Sequence, residues 1–152
     1  MVGLLTEWTE GNLLQTRGMD DDKGGTMRLG QYDCHLSAGS KVNKAYANGA
    51  DEDASQGMLI SERHRHRYEV NNRYRKKMEQ LGLIVSGENI DLNLVEMIEL
   101  KNHPWFVAVQ FHPELKSRIV NVHPLFRDFI AAAIEEKEKK HSVIISNKEQ
   151  VA

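Results

Sequence analysis

The 152-residue chain is long enough for one domain with a hydrophobic core. Its 40% hydrophobic and 28% charged residues are typical of a globular protein, and a formal net charge of −2 implies no overall attraction to nucleic acid or membrane surfaces. The single cysteine, Cys34, excludes an internal disulfide, and the sequence has no apolar run near the roughly 20 residues that cross a bilayer. We expect a cytoplasmic protein without nucleic-acid or membrane partners.

The first half of the chain predicts strands, one short helix and two loops. An apolar run at 2–5 predicts a strand without a lead-in, which indicates that the sequence begins inside a larger domain. Alternation at 27–36 predicts a second strand, and Ser40 is placed to cap a short helix over 41–47. The polar segments predicted as loops are 9–25 and 48–57.

The second half predicts three further strands and two helices. Asn71 or Asn72 is placed to cap a helix that ends at Gly82, and Pro124 fits the first turn of a helix with one buried face. That face consists of Leu125, Phe126, Phe129, Ile130 and Ala133. The predicted strands are 83–87, 94–100 and 105–109, the second of them antiparallel to a neighbour. The sequence therefore predicts an α/β domain with an antiparallel or mixed sheet over 1–134, followed by a polar, flexible tail over 135–152.

The strand predicted at 105–109 leads to a histidine and a carboxylate two positions apart. In extended backbone His112 and Glu114 point to the same side, because the side-chain period of a strand is two. Pro113 fixes its own φ and favours extended geometry at His112. A glutamate beside an imidazole fixes its tautomer and stabilises the imidazolium, which a histidine base needs when it activates a nucleophile. The alternative is a polar strand end in which His112 only hydrogen-bonds the loop.

Alternating arginines and histidines at 63–67 (RHRHR) allow four interpretations. A nucleic-acid patch has the required charge here but no basic surroundings. A metal site at His64 and His66 would place a cation among three arginines. A guanidinium that binds a carboxylate or another anion bidentately is the third interpretation. The fourth is a strand with solvated arginines and structural histidines.

Two other features are not expected to be catalytic. Cys34 lies between Asp33 and His35 in an alternating strand, without the small neighbours that a nucleophile elbow needs. We therefore expect a cysteine that is packed in the sheet. The segment 24–26 (GGT) lacks the spacing of a nucleotide-binding fingerprint and precedes a strand, so no phosphate loop is expected there.

Several stretches, taken together and in this order, resemble the C-terminal part of the class I glutamine amidotransferase domain of the CTP synthase family. They are GGTMRLG at 24–30, ERHRHRYEVN at 62–71, NHPWFVA at 102–108 with QFHPE at 110–114, and HPLF at 123–126. The opening GLLTEW also fits, and the resemblance runs to about Ala133. The first two stretches are more diagnostic than HPE, which class I glutamine amidotransferases share generally.

The resemblance implies an α/β glutaminase domain that hydrolyses glutamine through a Cys-His-Glu triad. Ammonia then passes to a synthase domain, which uses ATP and magnesium to convert UTP into CTP, and the family is homo-oligomeric. His112 would be the triad histidine, deprotonating the thiol and later protonating the departing ammonia. Glu114 would orient His112, and Arg67 would bind the α-carboxylate of the glutamine substrate.

The resemblance also implies that parts of the family's machinery lie outside this sequence. The nucleophile cysteine on its elbow, a glutamine-contacting glutamate, the oxyanion-hole glycine and the synthase domain are expected upstream, possibly on another chain. We therefore expect an incomplete domain with a mixed sheet, without its N-terminal strands, and with no cofactor or metal of its own. Such a chain is expected to be inactive alone, because loss of a triad nucleophile removes nearly all triad-dependent rate. The alternative is a non-catalytic remnant or regulatory binding partner of a complete amidotransferase or synthase chain.

Overall fold

The computed structural model describes residues 2–4, 7–10, 13–16, 27–48 and 55–149. Its helices are α1 (Lys41–Tyr46), α2 (Arg75–Gln80) and α3 (Pro124–Glu149). Its strands are β1 (Val2–Leu4), β2 (Glu7–Glu10), β3 (Leu13–Thr16), β4 (Arg28–Leu36), β5 (Met58–His66), β6 (Tyr68–Val70), β7 (Leu83–Asn89), β8 (Leu94–Leu100) and β9 (Val107–Val109).

A five-stranded sheet in the order β5-β4-β7-β8-β9 forms the centre of the fold. Two small pairs accompany it, β1 with β6 and β2 with β3. The described ranges combine helices with β-strands, which confirms the α/β class. Every strand pair in them is antiparallel, so they contain no parallel pair of the expected mixed sheet.

The loop predicted at 9–25 is wrong in its first part. Residues 7–10 and 13–16 pair as an antiparallel hairpin, with Glu7 opposite Thr16 and Glu10 opposite Leu13. Cross-strand pairing overrides the polar composition of this segment, because backbone groups form the ladder whatever the side chains are. The remaining residues of that loop, 11–12 and 17–25, lie outside the described residues, as do 49–54 of the second predicted loop.

The strand predicted at 27–36 is confirmed as β4, and its two faces differ in burial. Arg28, Cys34 and Leu36 are buried, whereas Leu29 on the opposite face is exposed. β4 pairs with β5 along its whole length, from Arg28 opposite His66 to Leu36 opposite Met58. The core forms around this face, and its buried residues are Cys34, Leu36, Val42, Ala45, Met97, Phe111 and Leu125.

Local capping signals predict the start of α1 correctly and that of α2 only in part. The hydroxyl of Ser40 accepts a hydrogen bond from the amide of Asn43 at 3.1 Å, which caps α1. The side chain of Asn71 caps a 3₁₀ turn over Asn72–Tyr74 that leads into α2, and Gly82 ends this region with a φ of +94°. The cap at Ser40 is confirmed, whereas α2 itself begins at Arg75 without a side-chain cap, so the predicted Asn cap holds for the 3₁₀ turn only.

Two predicted strands have different lengths in the structure. β7 continues past Gly87 to Asn89, with an irregular register at Gly87 where it pairs with β8. A Cβ at Gly87 would lie within 2.8 Å of both the Met97 side chain and the sulfur of Cys34, so the backbone of β7 approaches these core residues closely. The strand predicted at 105–109 is shorter and begins at Val107, because Trp105 lies in the preceding bend and Phe106 contributes only its carbonyl, which accepts from the amide of Leu100 at 3.2 Å.

α3 begins at Pro124 as predicted, but its apolar face is mostly uncovered. Leu125 is buried, whereas Phe129 and Ile130 are 52% and 54% exposed, so the prediction of one buried face is wrong for the described residues. Residues 135–149, predicted as a flexible tail, are helical, and 150–152 lie outside the described residues; the division of the chain at residue 134 stays a prediction. No described helix combines the length and apolarity needed to cross a membrane.

Candidate active site

The predicted histidine–carboxylate pair lies just after β9, where the core strand gives way to a turn. Nδ1 of His112 is 2.7 Å from Oε1 of Glu114. Pro113 starts a 3₁₀ turn over Pro113–Leu115, so the two side chains meet through this turn and not through the extended backbone that the sequence predicts. With Nδ1–H donating to Glu114, Nε2 is the nitrogen of His112 that can take a proton from a nucleophile.

The His112–Glu114 pair is partly open to solvent, with side chains 33% and 58% exposed. The hydrogen bond with His112 lowers the pKa of Glu114, with help from the backbone and from the charges of His112 and Arg65. Glu114 is therefore ionised at neutral pH and holds the ring of His112 in one orientation.

The turn that carries this pair is fixed to β5 at two further points. The amide of His112 donates to the carbonyl of Arg63 at 2.9 Å. After the turn, Nζ of Lys116 donates to the carbonyl of Ser61 at 2.6 Å and lies 3.3 Å from the carboxylate of Glu62. The backbone on both sides of Pro113 is therefore anchored to one strand.

Glu62 is a fully buried carboxylate that joins α1, α3 and the turn. Its Oε1 accepts hydrogen bonds from the hydroxyl of Tyr46 at 2.9 Å and from Nε2 of His123 at 3.2 Å. Burial raises the pKa of Glu62, but the hydrogen bonds from His123 and Tyr46 and the charge of Lys116 outweigh it, so the pKa is lowered overall. Glu62 stays charged and fixes the elements around the site.

A second group of buried charges lies beneath the site. Nη1 of Arg28 is 3.3 Å from Glu69, and Nη2 is 2.7 Å from Glu96. Nε2 of Gln110 donates to Glu69 at 2.8 Å, and Arg28 also lies over the ring of Tyr32. Burial raises the pKa of Glu69 to about 7 and also raises that of Glu96, although Arg28 opposes both shifts. The positive charge of Arg28 therefore offsets part of the free-energy cost of burying the carboxylates of Glu69 and Glu96.

His64 and His66 contact each other and groups of the interior. Nδ1 of His64 lies 2.9 Å from Nε2 of His66, and His64 packs against Tyr32 and Phe111. In the part of the chain that the structure describes, no cluster of three or more His, Cys, Asp or Glu could hold a metal ion. Arg63 and Arg65 are exposed, so residues 63–66 match the interpretation as a strand with solvated arginines and structural histidines.

Arg67 lies at the break between β5 and β6 and is half-buried. Its Nη1 is shielded from solvent and has no hydrogen-bond partner among the described residues. Within those residues no hydrogen bond or ion pair joins Arg67 to His112 or Glu114. An unpaired buried donor is costly, so this nitrogen is available to an anion.

A cavity of about 350 Å³ lies beside the turn, on the outer face of β4 and β5. Leu115, Leu29 and the exposed arginines of β5 contribute to its lining. Neither Arg67 nor His112 lines it, so the cavity does not by itself join the predicted site residues.

Cys34 is packed in the core, as the sequence predicts. Its side chain is fully buried, and burial, followed by the charges of Glu96 and Glu62, raises the pKa of the thiol to about 12. A thiol in this state is a poor nucleophile at neutral pH. The 152 residues therefore contain no cysteine suited to act with His112.

The sequence does not reveal the buried charges around Arg28, Glu69, Glu96 and Gln110. One signal is present in the pattern: Arg28 falls on the same alternating face of β4 as Cys34, so a buried core side implies a buried arginine. Its carboxylate partners come from other strands, and sequence spacing does not identify them.

His64 gives a testable dependence of stability on acid. Burial, followed by the charges of Arg28, His66 and His112, lowers the pKa of His64 from 6.5 to about 3. The unfolded chain then binds more protons than the folded chain between these values. The contribution of a neutral His64 to stability is therefore present above pH 6.5 and is lost as the pH falls.

When the pH falls from 6.5 to 5, we expect the free energy of unfolding of the wild type to decrease by about 2 kcal/mol more than that of His64→Phe. Urea denaturation measures this difference. Glu69 has the opposite pH dependence but is present in both proteins, so it cancels in the difference. His141→Phe, on the exposed surface of α3, is the matched control and should give no such difference. If the free energy of unfolding changed with pH in the same way for the wild type and His64→Phe, the result would contradict a buried neutral His64.

Comparison with known proteins agrees with the resemblance carried by the motifs. Residues 5–132 match the family described as glutamine amidotransferase class-I. The chain is 55% identical to a CTP synthase from Rhodospirillum centenum over 136 residues, which cover 90% of this chain and 23% of that protein. A CTP synthase from Chelativorans sp. is 54% identical over the same shares. The chain thus spans about a quarter of the length of the curated relatives it matches.

A solved structure supports the same assignment. The glutaminase domain of Trypanosoma brucei CTPS, determined with bound acivicin, matches with a TM-score of 0.64 and 33% identity over 78% of this chain and 45% of that chain. The chain therefore corresponds to part of the glutaminase region of CTP synthase, as its motifs predict. With the family match over 5–132, the chain belongs to the class I glutamine amidotransferase family.

Proposed function

We propose that this chain supplies the histidine–glutamate half of a glutamine-hydrolysing site that delivers ammonia for the conversion of UTP into CTP. His112 acts as the base and acid, Glu114 orients it, and Arg67 binds the α-carboxylate of glutamine. The observation that carries the proposal is the 2.7 Å contact between Nδ1 of His112 and Glu114, which leaves Nε2 to act on a thiol.

The thiol comes from a segment outside these 152 residues. Cys34 is buried with a raised pKa, so it does not serve as the nucleophile. The required segment carries the nucleophile elbow, and the synthase part, with its ATP and magnesium, belongs to the same cytoplasmic assembly. Whether this segment precedes the chain in one polypeptide or is a separate subunit, the chemistry at His112 is the same.

Uncovered apolar side chains support a partner segment of this kind. Phe126, Phe129 and Ile130 lie at helical spacing on α3 and are 39% to 54% exposed, and a contiguous exposed apolar patch marks a surface that binds another protein segment. A segment that completes the domain would bury part of this surface.

Reconstitution tests the proposal. The chain is mixed with a second polypeptide that carries the elbow cysteine and the synthase domain, taken from a relative such as the Rhodospirillum centenum CTP synthase. We expect the chain alone to release no ammonia from glutamine, and the mixture to form CTP with glutamine as the nitrogen donor. Glutamine hydrolysis by the purified chain alone would contradict the proposal, because it would require a nucleophile within these residues.

The competing function is a non-catalytic partner that regulates or stabilises a complete amidotransferase. The lone buried cysteine favours it, since the chain then needs no nucleophile. The two functions differ in one result: a regulator would change the activity of a complete CTP synthase equally well with and without the His112 side chain.

A further inference from the structure

One side-chain contact links the segment of Arg67 to the segment of His112. Nε2 of Gln110 donates to Oε2 of Glu69 at 2.8 Å. Gln110 lies two residues before His112, and Glu69 lies two residues after Arg67. Two extended residues span at most about 7 Å. Along the backbone, Glu69 and Gln110 are therefore each no farther than about 7 Å from the functional residue beside them.

Each end of this contact is itself fixed in the interior. The amide of Gln110 donates to the carbonyl of Glu96 at 2.9 Å, and its side chain also donates to the carbonyl of Val95. Glu69 is buried and paired with Arg28, which in turn pairs with Glu96. Both ends are therefore held to β8, and their separation has little freedom.

We propose that Gln110 and Glu69 are positioning residues that set the separation between Arg67 and His112. The proposal rests on the proposed function, since it assigns a purpose to the distance between the carboxylate-binding guanidinium and the base. β5 ends at His66 and β6 begins at Tyr68, so Arg67 itself lies outside both strands and takes its position from its neighbours. Glu69 is the neighbour that faces the His112 segment.

The chemical purpose follows from the shape of glutamine. Its α-carboxylate and its carboxamide lie at opposite ends of a flexible molecule. Binding of the carboxylate by Arg67 therefore positions the carboxamide at His112 only if Arg67 and His112 keep a fixed separation. A misplacement of about 1 Å at a reacting centre can cost about 100-fold in rate. Loss of the Gln110–Glu69 contact should therefore lower turnover more than binding.

A distance measurement on the full chain tests the contact without any catalysis. Spin labels are attached at Tyr68→Cys and Ala108→Cys, both at exposed positions, while the buried Cys34 does not react. Adding Gln110→Leu should broaden the distance distribution between the labels or shift its mean by about 1 Å, measured by dipolar EPR. The matched control is Gln31→Leu, the same change at an exposed position of β4, which should leave the distribution unchanged. An unchanged distribution with Gln110→Leu overturns the proposal.

A substrate comparison in the reconstituted pair tests the catalytic purpose. With glutamine, Gln110→Leu should lower kcat by about 10- to 100-fold and raise KM less. With butanamide, which has the reacting carboxamide but no α-carboxylate, the same variant should change kcat/KM by less than about threefold, because nothing is held at Arg67. Equal losses with both substrates would mean general disruption and would overturn the positioning role.

The two measurements separate failure of this inference from failure of the proposed function. If the wild-type pair hydrolyses no glutamine, the proposed function is wrong, and the positioning role that rests on it falls with it, even where the labels show a fixed separation. If the wild-type pair is active but Gln110→Leu behaves like Gln31→Leu in both measurements, the proposed function stands and only the positioning role is overturned.

Discussion

Replacing His112 with alanine is expected to lower glutamine-dependent CTP formation in the reconstituted pair by about 1,000-fold or more, while free ammonia still supports the reaction. The imidazole is the base that activates the thiol, and removing one member of a triad removes most of the rate that the triad provides. Ammonia enters after glutamine hydrolysis, so the synthase reaction does not need His112. The measurement compares initial rates of CTP formation with glutamine and with ammonium chloride as the nitrogen source.

The matched control for this experiment is His35→Ala, which changes an exposed histidine on β4. It should leave both rates unchanged. Glu114→Gln removes the charge that orients and stabilises the imidazolium and should reduce the glutamine rate without affecting the ammonia rate. Undiminished glutamine use by His112→Ala would remove His112 from its assigned role, and equal loss with ammonia would indicate misfolding.

Replacing Arg28 with methionine is expected to lower the free energy of unfolding at neutral pH by about 3–5 kcal/mol. The substitution keeps an apolar side chain of similar length but leaves Glu69 and Glu96 buried together without their cation. Both carboxyls already have raised pKa values with Arg28 present, so each would be raised further. Chemical denaturation followed by circular dichroism measures the loss.

This loss should depend on pH in a defined direction. A carboxyl whose folded pKa is raised gives its full contribution below the unfolded pKa and loses it as the pH rises through the folded value. The difference between wild type and Arg28→Met should therefore be smaller at pH 5 than at pH 8. Arg75→Met is the control: Arg75 binds Glu88 through two 2.7 Å contacts, but this pair is near the surface and should contribute about 1 kcal/mol or less. If Arg28→Met and Arg75→Met lowered the free energy of unfolding equally, the result would contradict the expected cost of leaving Glu69 and Glu96 buried without a cation.

Local chemistry made part of this fold predictable. Ser40 caps α1 as expected, and Asn71 caps the 3₁₀ turn that leads into α2 but not α2 itself. Such caps are predictable because they involve the backbone of only the next few residues. The alternation at 27–36 predicts β4 for a similar reason, since a strand with one buried side must repeat every second residue.

Burial depended on contacts that the sequence does not specify. The apolar spacing of α3 correctly predicts a helix, but a buried face also requires a surface to cover it, and Phe129 and Ile130 find none among the described residues. The polar side chains of residues 9–16 predict a loop, whereas the hairpin of β2 and β3 forms there through backbone hydrogen bonds that side-chain polarity does not reveal.

The candidate site likewise contains one contact that sequence spacing predicts and one that it does not. His112 and Glu114 could be paired from their spacing alone, although a 3₁₀ turn and not extended backbone brings them together. Glu69 and Gln110 are 41 residues apart in sequence, and their contact depends on where β6 and the end of β9 meet in space. Pattern reasoning identifies groups that act as neighbours in sequence and misses groups that become neighbours through folding.

The close approach at Gly87 links three positions of the core into one shared volume. A methyl group at this position would compete for space with Met97 and with the sulfur of Cys34. Natural or designed sequences that place alanine there should therefore carry a smaller residue at 97 or 34, so that substitution at one position becomes acceptable only after change at another. The choice of residue at position 34 is therefore expected to depend on its packing against a glycine of a different strand.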